Sequence, residues 1–212
     1  MSEQDFDRLR RAMVSNQLRT NAVSDAAVLA AMEATPREAF VGAGQAAAAY
    51  SDMAVPLGEG RALNPPIATG RLLNAAQPRA GERALVIGSA TGYVAALLTT
   101  LGCKVTALEE SPDLAARAEA AGVVTVQGAL FVGWAPDSPY DLIYIDGAVP
   151  AFPKAIVGQL ADGGRIVGAL LDRGVSRLAI GRGAGDGFGV RMFADVETAP
   201  LPGFAPEPAF AF

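Results

Sequence analysis

Residues 84–93 read ALVIGSATGY: an apolar run, a turn Gly88-Ser89-Ala90-Thr91-Gly92, and the opening of a helix. Glycines at such a turn let backbone approach a ligand closely and permit positive φ. Spacing decides which ligand. A dinucleotide fingerprint needs a third glycine five residues after the first, and that position is Tyr93. A phosphate-binding P-loop needs Gly-Lys-Ser/Thr, and the turn has no lysine. A second glycine at the fourth position suits a loop passing close to a nucleoside. Glu109 lies 21 residues after Gly88, at the end of the next apolar run. A carboxylate there can accept hydrogen bonds from both ribose hydroxyls. Glu110 follows it and is a substitute.

Other chemistry is excluded by composition. The chain has no histidine and a single cysteine, Cys103. Ser-His and Cys-His nucleophile pairs are therefore impossible. The usual zinc site is out as well, and no metal site is expected. Reactions that need mainly positioning, with a cofactor supplying the reactive group, survive. The net charge is −5 and no basic run is present, which argues against nucleic acid as a partner. One cysteine, no signal-peptide core and no apolar run near about 18 residues lead us to expect a cytoplasmic protein with no membrane contact.

The elements that must position these residues follow from periodicity. Phe6, Leu9, Met13 and Leu18 form a helical stripe. A second helix is expected from Ser24 as N-cap, with Val28, Leu29 and Met32 inward, ending at Thr35-Pro36. Residues 50–66 read as a loop, and Asn64 before two prolines reads as a helix cap. From residue 81 strands and helices alternate: RALVI, then GYVAALLTTLG as helix; CKVTALE, then SPDLAARAEAAG as helix; VVTVQ; YDLIYID, then VPAFPKAIVGQLADG as helix; and GRIVGALL. Ser111, Pro112 and Asp113 mark one helix start and Gly122 its end. Such alternation predicts an α/β fold, a mostly parallel twisted sheet with helices on both faces. RLAIGRG and GVRMFADVETA read as two closing antiparallel strands. The tail PLPGFAPEPAFAF reads as an extended end on the body or as a partner-binding segment. We expect one domain: 1–80 as helical and loop extension, 81–198 as Rossmann-like core, and 199–212 as tail.

VIGSATGY, Glu109 and LADGGRIV together look like landmarks of S-adenosylmethionine-dependent methyltransferases. More specifically, the chain resembles the protein-L-isoaspartate O-methyltransferase family. MVSNQLRTNAVSDAAVLAAMEATPREAFV (13–41), AYSDMAVPLGEGRAL (49–63) and GWAPDSPYDLIYIDGA (133–148) carry the likeness, over about four-fifths of the chain. The resemblance implies methyl transfer from S-adenosylmethionine to the carboxylate of isoaspartyl residues in damaged proteins or peptides. It implies cofactor contacts at Leu63, Gly88, Ser89, Ala90, Gly92, Tyr93, Glu109, Glu110, Ala129 and Leu130. Four positions depart from the family's pattern. Val86 stands where it usually has Glu, and Ala90 where it has a middle glycine. Gly128-Ala129-Leu130 replaces Gly-Asp-Gly, and Ala62-Leu63-Asn64 replaces Thr-Ile-Ser. These changes imply weaker cofactor binding.

Asn64 takes the hydroxyl's place and is the candidate catalytic residue. Its amide can donate to a substrate carboxylate, which needs no base because it is ionised above a pKa of roughly 4. The other role open to Asn64 is helix capping alone. Asp146 ends the fourth strand at the same crevice, as a substrate-shaping group or an exposed strand-end acid. Trp134 and Cys103 are assigned to packing. Two further readings stand beside the enzyme. One is a degenerate relative that binds or regulates; the other is a nucleic-acid methyltransferase, suggested by Asn64-Pro65-Pro66 but lacking the aromatic that Ile67 replaces.

Overall fold

The computed structural model describes residues 2–184 and 187–204. The Pro/Phe tail from 205 onward lies outside the described residues. The order of elements is α1 (Glu3–Ala12), α2 (Ala26–Ala34), β1 (Val55–Gly58), β2 (Arg61–Leu63), α3 (Pro66–Ala76), β3 (Arg83–Ile87), α4 (Tyr93–Thr100), β4 (Lys104–Glu109), α5 (Pro112–Ala120), β5 (Thr125–Gln127), β6 (Tyr140–Val149), α6 (Lys154–Val157), β7 (Leu160–Asp172), β8 (Val175–Ala184) and β9 (Gly187–Asp195). Seven strands form one sheet in the order β5-β4-β3-β6-β7-β8-β9. The first five pair in parallel, and β8 and β9 close the sheet antiparallel. No described helix is long and apolar enough to cross a membrane.

Chain order reverses at β3, which has β4 on one side and β6 on the other. In open α/β sheets, ligands bind outside the carboxyl ends of the strands at such a point. Alternation along β3 divides the core in two. Ala84 and Val86 join one apolar cluster, and Leu85 and Ile87 the other. Val86 is fully buried in the first cluster, so valine there is a packing residue of the strand.

The N-terminal helices pack on α3 at Gly70. A Cβ there would lie 3.1 Å from both Leu18 and Val23. The expected stripe is present: Met13 and Leu18 are fully buried, and Phe6 and Leu9 pack against the same cluster. Between α1 and α2 the chain runs on through a π-helical segment, Met13–Leu18. Ser111 accepts from the backbone N–H of Leu114 and caps α5 as expected.

Four expectations need correction. Asp25, not Ser24, caps α2, accepting from the N–H groups of Ala27 and Val28. The Ser24 N–H instead donates to Asn74 Oδ1 at 2.9 Å, which ties the loop to α3. Residues 50–66 are not all loop, because β1 and β2 pair there as an antiparallel hairpin. Pro65 occupies the N-cap of α3 and makes no side-chain cap bond, so Asn64 does not cap it. The helix expected over VPAFPKAIVGQLADG is a single turn, Lys154–Val157. Pro153 and Gly158 bracket that turn, while β6 continues to Val149 by pairing with Leu170.

Candidate functional site

The loop after β3 has the backbone its glycines foretell. Gly88 has φ +73°, Gly92 φ +93°, and Ala90 takes φ +49°, uncommon for a residue with a Cβ. The N–H groups of Gly88 and Ser89 both donate to Leu108 O at 3.0 Å, anchoring the loop to β4. Ala90 is 4% exposed and sits in the core cluster. Its extra methyl is absorbed by packing.

Glu109, at the end of β4, is fully buried. Its Oε2 accepts from the Ala90 N–H at 2.7 Å. Its Oε1 accepts from the N–H groups of Glu110 at 3.0 Å and Ser111 at 3.1 Å. Arg61, reaching down from β2, donates from Nη1 to the same Oε1 at 2.9 Å. The guanidinium also donates from Nη2 to Gly88 O at 2.6 Å. A carboxylate offers about two acceptor sites on each oxygen, so Oε1 is fully occupied by three donors while Oε2, with one, keeps a site open.

Asn64 and Asp146 meet below this pair. Asn64 Nδ2 donates to Asp146 Oδ1 at 2.8 Å, and Asn64 Oδ1 accepts from the Ala199 N–H at 3.0 Å. Asp146 is 7% exposed, so it is not an exposed strand-end acid. Burial pushes its carboxyl up to about 6, while the bond from Asn64 and the charges of Arg61 and Arg37 pull the other way. Arg37, also fully buried, holds this corner. Its Nε donates to Ala49 O at 2.6 Å and its Nη2 donates to Asn64 O. Its guanidinium carbon lies 4.7 Å from the centre of the Tyr93 ring. Burial lowers the pKa of Arg37.

Residues 198–204 run across the mouth of the crevice. Thr198 N–H donates to Ser176 Oγ at 3.0 Å. Ala148 N–H donates to Ala199 O at 2.8 Å, and Leu201 N–H donates to Ala148 O at 2.9 Å. Leu201 is 4% exposed and joins the second apolar cluster. A Cβ built on Gly88 would lie 2.7 Å from Leu201 Cδ1 and 2.9 Å from Arg61 Nη2. One built on Gly147 would lie 2.8 Å from Leu201 Cβ. The space a ligand would use against Gly88 is thus filled by this leucine and this arginine. In this arrangement the face of Gly88 is closed to a nucleoside, while Glu109 Oε2 keeps one acceptor site.

The structure brings together Asn64, Gly88, Glu109 and Asp146 of the expected site residues. Ser89 is beside them, its buried hydroxyl without a partner among the described residues. Leu63, Tyr93 and Leu130 are instead core side chains. Tyr93 packs edge-on to Phe40, with ring centres 5.4 Å apart. Ala129 and Glu110 are exposed. Arg61, Arg37 and Leu201 were not foreseen. A lone arginine in a polar turn and a leucine in a Pro/Gly segment carry no local cue to such contacts.

The profile of the family described as protein-L-isoaspartate(D-aspartate) O-methyltransferase matches residues 8–186. A protein-L-isoaspartate O-methyltransferase of Methanoculleus marisnigri is 38% identical over 167 residues, covering 76% of each chain. Protein-L-isoaspartate O-methyltransferase 1 of Rhodopseudomonas palustris is 37% identical, covering 96% of this chain and 89% of its own. A solved protein-L-isoaspartate O-methyltransferase superposes with a TM-score of 0.79 at 20% identity, over 93% of this chain and 66% of that one. A Plasmodium falciparum chain described as the same enzyme, solved with S-adenosyl-L-homocysteine, gives 0.75 at 17% identity, over 92% of this chain and 98% of that one.

Proposed function

The chain belongs to the protein-L-isoaspartate(D-aspartate) O-methyltransferase family, and from that premise we infer that it transfers methyl from S-adenosylmethionine to the carboxylate of L-isoaspartyl residues in damaged proteins. The observation that carries this reading is likeness to named enzymes of that activity along nearly the whole chain. The crevice at the β3 switch point, with Gly88, Glu109, Asn64 and Asp146 around it, lies where such a fold binds its ligands.

The chain's own residues have an orienting task. The isoaspartyl carboxylate is ionised at neutral pH and needs no general base. What it needs is a fixed direction of approach in a site that excludes water. Asn64 is the group we assign to that direction, held by Asp146 on one side and by Arg37 through its carbonyl. Gly88, Ser89, Ala90, Gly92 and Glu109 are the chain's side of the cofactor crevice in this reading. We place the protein in the cytoplasm, working as one domain on protein or peptide substrates.

The test is transfer of radiolabelled methyl from S-adenosylmethionine to a peptide with one L-isoaspartyl residue, beside its L-aspartyl twin. Base-labile label in the isoaspartyl peptide alone is expected. A folded protein that labels neither peptide refutes the reading and leaves that of a binding protein.

A further inference from the structure

We propose that residues 198–204 are a strap that closes the cofactor crevice from inside the chain, with Arg61 as its latch on Glu109, and that both must move before the cofactor enters. The inference rests on the methyltransferase reading and concerns regulation of that same site.

Three observations converge. First, the strap lies where the ligand belongs. It pairs with Ala148 at the end of β6, beside the switch point, and Leu201 covers both Gly88 and Gly147. Second, the acid beneath it is held by Arg61 and three backbone N–H groups, three of the four donors crowding Oε1. A ribose diol that bonds both carboxylate oxygens needs one of the Oε1 donors to leave. Arg61 is the one on a side chain, so it can leave without unfolding the loop. Third, the turn that carries the latch lies against the strap. The turn between β1 and β2 carries Gly58, Glu59 and Gly60 at positive φ, and a Cβ on Gly60 would lie 3.5 Å from Pro202.

The attachment is of a kind that can open. The strap meets β6 through an isolated bridge centred on Ala148 and Pro200, with no ladder beyond it. Pro200 has no N–H to give, and Pro200, Pro202 and Gly203 are exposed. Leu201 and Thr198 are the only buried residues of the strap, so opening exposes little besides them. Thr198, fixed to Ser176 Oγ, is the natural hinge. Asn64 Oδ1 accepts from the strap's Ala199 N–H while Nδ2 stays on Asp146, so opening frees one end of the amide we assign to the substrate. A ligand's apparent affinity falls by the fraction of molecules that are open. Weakening the closed state therefore tightens binding.

Calorimetry with S-adenosylhomocysteine on the full-length protein tests this. Leu201→Ala is expected to bind roughly tenfold more tightly than wild type. A clamp, Ala148→Cys with Pro200→Cys, joins two paired positions and covers the case in which Leu201→Ala fails to fold. Oxidised, it is expected to lose binding at least about tenfold, and reductant is expected to restore it. In wild type, the product should also speed hydrogen exchange at the Leu201 amide. If the product binds but clamp and Leu201→Ala leave its affinity unchanged, the strap is overturned and the methyltransferase reading stands. If folded wild type, Leu201→Ala and reduced clamp all fail to bind, the cofactor reading falls, and the strap with it.

Discussion

The guanidinium of Arg61 lies 2.9 Å from the carboxylate of Glu109, and neither side chain is more than 5% exposed. Removing one member of a buried ion pair typically costs about 3–5 kcal/mol, because the other is left charged and unpaired. Glu109 keeps three backbone N–H donors, which places Arg61→Met near the lower end, about 3 kcal/mol. Adding Glu109→Gln to Arg61→Met should recover part of that loss. Urea denaturation of the two single variants and the double variant gives the coupling directly.

Asp146 makes stability depend on pH in an unusual direction. Its carboxyl is pushed up to about 6 in the fold, against an ordinary value near 3.8. The native state therefore holds the proton more tightly than the unfolded chain between those values. Stability is greatest below the unfolded pKa, falls as pH rises through the window from about 4 to 6, and is flat above it. The contribution is of order 2–3 kcal/mol, at about 1.4 kcal/mol per unit. Asp146→Asn should flatten this slope when melting is followed from pH 4 to pH 7.5.

Two glycines separate backbone strain from steric crowding. Gly88 and Gly122 both have positive φ, but a Cβ on Gly88 meets Leu201 and Arg61, whereas one on Gly122 meets nothing within 4 Å. Gly122→Ala should cost about 1 kcal/mol, from the left-handed backbone alone. Gly88→Ala should cost about 2–4 kcal/mol, the same strain plus overpacking. Equal costs in thermal unfolding would show that Leu201 yields without resistance.

Asn64 bridges Asp146 and the Ala199 N–H, so Asn64→Leu removes both bonds and leaves the buried Asp146 carboxyl and the half-buried Ala199 N–H unpaired. A loss of about 1–3 kcal/mol in stability is expected for each group left without a partner. If Asn64 also orients the substrate, kcat should fall at least about tenfold with a smaller change in KM for the isoaspartyl peptide. A stable variant with unchanged kcat would leave Asn64 a purely structural bridge.

The sheet was legible in the sequence because its signals are local. Apolar runs of strand length, the Ser111-Pro112-Asp113 start and the closing glycines lie within a few residues of what they specify. The helix after β6 was misread because apolar spacing outweighed Pro153 and Gly158, which confine it to one turn. The site was legible only in its loop and its acids. Its closing contacts join residues 48, 82 and 135 apart in the chain: Arg61 with Glu109, Asn64 with Asp146, and Asn64 with Ala199. No periodicity marks pairs so distant. Asn64 could be read as cap or donor from its neighbours alone; which groups it meets is a property of the fold.

Gly92 gives the glycine turn a different meaning. A Cβ there would lie 2.8 Å from Val123, a neighbour supplied by the segment after α5. Its counterpart Gly88 is hemmed in by Leu201 and Arg61. Each would be required even if nothing ever entered the crevice. The two residues by which the turn is recognised therefore certify that the domain is correctly assembled, and selection for folding alone would preserve them. A motif search that counts them as proof of an occupied site counts architecture twice and ligand not at all.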